Sequence, residues 1–77
     1  MPYAYKGDQK VAQLAGDPVA IGPGKYKCTT TADFETPIHM NDLIKIVDID
    51  SATGPVQKQG KVGQLLPSEK WFEFQES

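Results

Sequence analysis

The sequence predicts a mainly β domain, a small barrel or sandwich of about five to six short strands with at most one short N-terminal helix. Glycine and proline recur at short intervals along the 77 residues and mark turns between apolar segments. Several segments alternate apolar and polar residues with the period of two that is typical of strands. No long helical segment separates two strands, so an α/β nucleotide-binding fold is not expected. The length is that of a single domain, residues 1–77.

Residues 8–16 are compatible with two local structures. Asp8 would cap a short helix in which Val11 and Leu14 share one face, and Gly16 would end it. Such a helix has only about two turns, so tertiary contacts would have to hold it. The alternative is a loop that closes one end of a barrel.

The first half of the chain carries two predicted strands. Val19–Ile21 is short and is followed by a strong Gly-Pro-Gly turn signal. Residues 25–31 form the second strand, in which Tyr26, Cys28 and Thr30 share the inward face.

The most apolar segment, Leu43–Ile49, is a third predicted strand with one break in its alternation. Ile44 and Ile46 share one face, and Val47 and Ile49 share the other. Placing all four side chains inward requires a β-bulge near Ile46 and Val47.

The second half continues with Val56–Leu66, where Gly60 and Gly63 suit a tight turn and a bend. After a turn, Trp71–Gln75 is the last predicted strand. The predicted inward set is Tyr26, Cys28, Ile44, Ile46, Val47, Ile49, Val62, Leu66, Phe72 and Phe74.

The ionisable residues exclude several functions. The formal net charge is −2, and all eight basic residues are lysines. Arginine is the usual residue for bidentate recognition of phosphate and guanine, so its absence weakens a nucleic-acid interpretation. With one cysteine and one histidine, the chain has no thiolate cluster for zinc and no internal disulfide, and we expect no metal and no cofactor.

Cys28 and His39 are the only pair that suggests nucleophilic catalysis, with Asp33 or Asp42 to orient the imidazole. Cys28 falls on the inward face of its strand, where a free cysteine is usually a small apolar core residue. A chain of this length also leaves little room for a deep substrate pocket. We therefore expect no enzymatic activity.

Trp71 is the most informative candidate for binding. Phe72 and Phe74 satisfy the inward parity of the last strand, so Trp71 should point outward, either as an interface anchor or as a cover for the edge of the core. The wider candidate set adds one further aromatic residue and four lysines that would form a basic patch, unless these lysines only solvate a strand face. The set is Trp71, Tyr26, Lys25, Lys27, Lys58 and Lys61.

Two stretches resemble known families. Residues 41–75 resemble SH3-like barrels, with an acidic turn at Asn41-Asp42, an apolar strand, a polar loop, and a glycine-led strand that ends in a Pro-Ser turn. The resemblance implies a small barrel; the aromatic ligand groove of eukaryotic SH3 domains is not recognisable, so binding of proline-rich peptides is not implied. Residues 23–29 resemble the opening strand of rubredoxin-like and zinc-ribbon proteins, and the missing further cysteines imply a relative without metal.

These observations favour a non-enzymatic protein-interaction or structural accessory module whose partner is another protein or a second copy of the chain. One alternative is a nucleic-acid-binding barrel that uses the lysines and Trp71. A second alternative is a small enzyme built on Cys28 and His39. The sequence opens without a basic and apolar leader, has no apolar segment of membrane-spanning length, and carries a lone thiol. We therefore expect a cytoplasmic location and no membrane association.

Overall fold

Seven antiparallel strands form one sheet in the computed structural model, which describes residues 1–77. The mainly β prediction is confirmed, although the number of strands exceeds the expected number. There is no α-helix, and the only helical segment is a 3-10 turn at Pro67–Glu69. The strands in chain order are β1 Tyr3–Lys6, β2 Gln9–Gln13, β3 Val19–Gly22, β4 Lys25–Thr29, β5 Leu43–Val47, β6 Val56–Leu66 and β7 Trp71–Glu76.

The order of strands across the sheet is β2-β1-β5-β6-β7-β4-β3, so β2 and β3 are its two edges. The ladders do not close into a barrel. A single bridge between Leu14 and Thr30, just beyond the ends of β2 and β4, joins the two sides of the sheet. The sheet therefore supports the β class and leaves the closed SH3-like barrel unconfirmed.

Both predictions for residues 8–16 are wrong, because Gln9–Gln13 pairs with β1 as strand β2. The register of this pair shifts between Ala4 and Tyr5, which leaves Val11 as the extra residue of a bulge. Val11, Ala12 and Leu14 are all buried as a result. One extra residue in a strand produces apolar spacings that resemble a helical period, and pairing with β1 decides the outcome.

The irregularity predicted near Ile46 and Val47 is present, but its extra residue lies elsewhere. The register between β5 and β6 shifts between these two residues, and the additional residue is Gln57 on β6. Val47 is buried yet lies outside the main core cluster. Ile49 follows the end of β5 and is 53% exposed, so its predicted inward position is wrong.

Strand β6 is continuous over 11 residues, so the tight turn predicted at Gly60 is wrong. Its first part pairs with β5 and its second part with β7. Gly60 lies where the two backbones approach closely, and a Cβ there would be 2.1 Å from the carbonyl oxygen of Gln75. Gly63 is the extra residue where the register with β7 shifts, which agrees with the predicted bend.

The core is one cluster of buried side chains packed against one face of the sheet. Phe72 and Phe74 are buried there as predicted, with their ring centroids 6.5 Å apart. Leu66 is 38% exposed, so its predicted inward position is wrong, and Tyr26 is only half-buried against the cluster. The cluster comprises Ala4, Val11, Ala12, Leu14, Cys28, Ile38, Ile44, Ile46, Val62, Phe72 and Phe74.

Candidate functional site

The six candidate binding residues divide between the two faces of the sheet. Lys25 and Lys61 both lie opposite Gln75, on strands β4 and β6 that flank β7. Lys27 lies two residues along β4 from Lys25, and Trp71 has the same parity on β7. These four residues share the face of β4, β7 and β6 that points away from the core, here called the outer face.

Trp71 is half-buried on the outer face rather than fully exposed. The Nζ atom of Lys27 lies 4.7 Å from the centroid of the indole ring, within the range of a cation–π contact. The indole Nε1 donates a long hydrogen bond of 3.4 Å to Glu69 Oε1. One face of the ring is therefore occupied by a side chain of the protein itself.

Tyr26 and Lys58 lie together on the opposite side, at the margin of the core. Tyr26 stacks on Phe74 with ring centroids 5.6 Å apart. Lys58 Nζ is 4.4 Å from the centroid of the Tyr26 ring and 3.8 Å from Glu76 Oε2. The structure thus does not bring Tyr26 and Lys58 into one patch with the other four candidates.

The lysines differ in whether they have ion-pair partners. Lys6, Lys10 and Lys58 each have a carboxylate oxygen within 4.0 Å. None of the three outer-face lysines has such a partner. The charges of Lys25, Lys27 and Lys61 are therefore uncompensated at short range, although the molecule as a whole is acidic.

Cys28 is a buried core residue, as its position in the strand predicts. Burial raises the pKa of its thiol to about 12, so the thiolate that a nucleophile requires is disfavoured at neutral pH. His39 is exposed and lies in the loop before β5, where its backbone N–H donates to Asp42 Oδ2 at 2.7 Å. No three His, Cys, Asp or Glu side chains are grouped so that they would hold a metal ion.

Asp50 organises the loop between β5 and β6. It accepts a hydrogen bond of 2.6 Å from the hydroxyl of Tyr5 and another of 3.0 Å from Lys10 Nζ. The hydrogen bond from Tyr5 and then that from Lys10 lower the pKa of Asp50, and the same contact raises the pKa of Tyr5 to about 12. This cluster fastens the loop to β1 and β2 and was not anticipated from the sequence.

The two edges of the sheet differ in their backbone hydrogen bonds, a difference that the sequence did not predict. Along β2, the following loop supplies backbone donors: Glu35 N–H to Val11 O at 2.7 Å and Thr31 N–H to Gln13 O at 3.0 Å. Along β3, no backbone hydrogen bond is made other than those to β4. Its outward-facing peptide groups are therefore free to pair.

Strand β3 is also uncharged and apolar. Val19 is 62% exposed and Ile21 is 46% exposed, and no lysine or glutamate interrupts residues 19–22. Edge strands usually carry charges or prolines that discourage pairing with another chain. Here the prolines stand outside the strand, at Pro18 and Pro23, and so limit its length to four residues. The register with β4 shifts between Ala20 and Gly22, so Ile21 is an extra residue and the regular edge is short.

Comparisons with protein-family models, curated proteins and solved structures gave no significant match. None of the helical segments in the structure has the length and apolar character required to cross a bilayer.

Proposed function

We propose that this protein is a non-enzymatic interaction module that binds an extended segment of a partner chain along the edge strand β3. The observation that carries the proposal is the contrast between the two edges: β2 is closed by hydrogen bonds from residues 31–36, and β3 makes none beyond β4. An exposed strand edge can add a further strand, in which main-chain hydrogen bonds supply affinity and alternate side chains supply specificity. The exposed side chains of Val19 and Ile21 would give apolar contact.

The proposal is tested by site-specific photo-crosslinking in producing cells. A photoreactive phenylalanine analogue replaces Ile21 on β3 or, as a control, Leu43, which is similarly exposed on the internal strand β5. We expect a discrete adduct with a partner from position 21 and none from position 43. The same adducts from both positions, or none from position 21, would contradict binding at β3.

Self-association is a second way of using the same edge. Size-exclusion chromatography with light scattering, over a range of protein concentrations, measures it. A concentration-dependent dimer that disappears in Ile21→Lys supports a second copy as the partner, because a charge on the edge opposes strand pairing. A strict monomer at high concentration eliminates the homo-oligomer.

Nucleic-acid binding is kept as a second candidate because Lys25, Lys27, Lys61 and Trp71 share the outer face. Lys27 already covers one face of the indole, which does not favour base stacking. Titration of tryptophan fluorescence with a single-stranded oligonucleotide at low salt tests it. Quenching of the wild-type fluorescence that is lost in the double variant Lys25→Gln/Lys27→Gln supports this function. An oligonucleotide that leaves the wild-type fluorescence unchanged rules the function out.

The SH3-like barrel is proposed as the finer architecture. It is supported by the Leu14–Thr30 bridge and by the hydrogen bond from Ala15 N–H to Thr29 O at 2.8 Å, which bring the β2 and β4 sides together at one end. The cytoplasmic location also stays a prediction, motivated by the lone cysteine. The alternative of a Cys/His enzyme gains no support from the buried Cys28 thiol.

A further inference from the structure

We infer that the segment added to β3 is an extended stretch of a partner protein with acidic residues at alternate positions. This inference rests on the proposed function, since it specifies the chemistry of the strand that β3 would accept. Its basis is the pair of lysines that lie beside β3 on the neighbouring strand β4.

Lys25 and Lys27 stand next to the two ends of β3. Lys25 is paired with Gly22 and Lys27 with Val19. The stem of Lys25 lies along the end of the strand, with its Cδ 3.9 Å from the place that a Cβ of Gly22 would take. Neither ammonium group has a carboxylate within 4.0 Å.

A shallow cleft of about 350 Å³ opens at the Val19 end of β3. Lys27, Thr29 and Val19 line it together with residues 15–17. The contact of Lys27 with Trp71 is made at a partly exposed site, where a cation–π interaction is weak, so Lys27 can exchange it for a carboxylate. An added strand that continues past Val19 enters this cleft.

Two acidic residues lie near this region and limit its positive potential. Asp17 lines the cleft, and Glu73 is paired with Lys27 across the strands. Asp17 is the nearer of the two to the β3 edge, because Glu73 is on β7, on the far side of β4. Removal of the Asp17 charge should therefore strengthen binding of an acidic segment.

The spacing of the lysines matches the repeat of a strand. Lys25 and Lys27 are two residues apart on one strand, so their Cα atoms are separated by about 6.8 Å on the same face. Side chains at alternate positions of an added strand have a similar spacing, although Ile21 is an extra residue of β3 between the partners of the two lysines. On the other face, Ala20 is paired with Tyr26, so the intervening side chains meet a small residue and an aromatic ring. The expected pattern is acidic, apolar, acidic.

A second copy of the chain fits this edge less well. Strand β3 itself contains no acidic residue, and each copy would bring its own Lys25 and Lys27 to the same junction. A pair of four-residue strands also offers little area compared with the roughly 1,000 Å² that a stable interface buries. A partner segment can extend beyond β3 into the cleft and gain further contacts.

Amide NMR titrations with synthetic peptides test the inference. Three capped seven-residue peptides alternate valine with glutamate, glutamine or lysine and are added to the labelled protein at low salt. We expect shifts at residues 19–22, with the glutamate peptide binding about fivefold more tightly than the glutamine peptide and the lysine peptide binding least. The preference for glutamate should decline as salt is added.

Variants assign the preference to the lysines. Lys25→Gln and Lys27→Gln should each weaken binding of the glutamate peptide about two- to fivefold and leave binding of the glutamine peptide unchanged. Asp17→Asn should strengthen binding of the glutamate peptide. Lys61→Gln is the matched control, because Lys61 is on the outer face but on β6, three strands from β3. Retained amide dispersion shows that each variant is folded.

The outcomes separate the inference from the proposed function. Equal binding of the glutamate and glutamine peptides at β3 overturns the acidic preference and leaves strand addition standing. Shifts at Trp71 and Lys61 instead of β3 overturn the inference, as do β3 resonances that move with protein concentration alone, which indicate a second copy. Absence of binding by all three peptides contradicts both proposals.

Discussion

Cys28 shows how burial decides the chemistry of a single residue. A lone cysteine and a lone histidine suggest a nucleophile and a base, but the thiol is buried among core side chains and its pKa is raised to about 12 by burial. At pH 8 the group is therefore protonated and shielded from reagents in solution.

We expect Cys28 to be unreactive toward a disulfide reagent at pH 8 in the folded protein and to react fully in denaturant. The thiol is desolvated in the folded state and regains its ordinary pKa when the chain unfolds. The absorbance of the released chromophore measures both rates. Rapid stoichiometric labelling without denaturant would show that the thiol is accessible and would revive the catalytic alternative.

Gly60 and Gly63 lie three residues apart on β6, and substitution by alanine should affect stability strongly at the first and very little at the second. A Cβ at Gly60 would be 2.1 Å from the Gln75 carbonyl oxygen, whereas a Cβ at Gly63 would have no atom within 4 Å. We expect Gly60→Ala to lower the free energy of unfolding by about 2–3 kcal/mol, since the β6–β7 backbones must separate. Gly63→Ala should change it by less than about 0.5 kcal/mol. Urea unfolding measures both, and equal effects would contradict the close approach.

At the scale of elements, bulges explain where sequence patterns succeed and fail. The alternation in β4 and β7 is uninterrupted, and Tyr26, Cys28, Phe72 and Phe74 face the core as predicted. In β2 the extra residue Val11 interrupts the alternation, and the resulting apolar spacing also fits a short helix. The alternation of one strand can show where the register breaks, as at Ile46 and Val47, but the partner strand decides which strand carries the extra residue.

The loop between β5 and β6 is a second element whose attachment depends on distant residues. Asp50 reaches Tyr5 and Lys10, which are 45 and 40 positions away in sequence. Asp42 is held in a similar way by the His39 backbone N–H and by Lys6, and both groups of contacts lower the carboxyl pKa. Because these contacts favour the ionised carboxylates, they stabilise the fold less as the pH falls.

We expect stability to fall as the pH decreases below about 4, since both aspartates have pKa values lowered from 3.8 in the folded state. Their contribution is fully present above the unfolded pKa and is lost as the pH falls through the folded pKa. In Asp50→Asn the loss of stability at low pH should be smaller than in the wild type. Asp48→Asn serves as the control, because Asp48 is an exposed neighbour without an ion pair. Thermal unfolding from pH 6 to pH 2 measures it; identical profiles for wild type and Asp50→Asn would contradict the role of Asp50.

At the scale of the whole molecule, stability depends on a core that is small even for one domain. A chain of this length gains only a few kcal/mol net from its core, and its single cysteine can form no internal disulfide. Phe72 is central to that core, in contact with Phe34 at 6.0 Å and Phe74 at 6.5 Å between ring centroids.

Phe72→Ala should therefore lower the free energy of unfolding by about 3–5 kcal/mol. That loss is comparable to the entire stability, so the variant should be largely unfolded at 25 °C. Leu43→Ala removes a side chain that is largely exposed on β5 and should change stability by less than about 0.5 kcal/mol. Circular dichroism and urea titration distinguish the two variants. A cooperatively folded Phe72→Ala variant would show that the protein is more stable than the size of its core suggests.

The sequence by itself determined the class of the fold, most strands and most of the core, because alternation and turn residues are local properties. It also placed Cys28 on an inward face and Trp71 on an outward face of their strands, as they lie in the structure. Only the tertiary structure decided that Gln9–Gln13 is a strand, that Tyr26 and Lys58 lie apart from the other candidates, and that β3 is the open edge. The physical reason is that strand order and edge hydrogen bonds join residues distant in the chain, and no local pattern encodes which partner a strand will find.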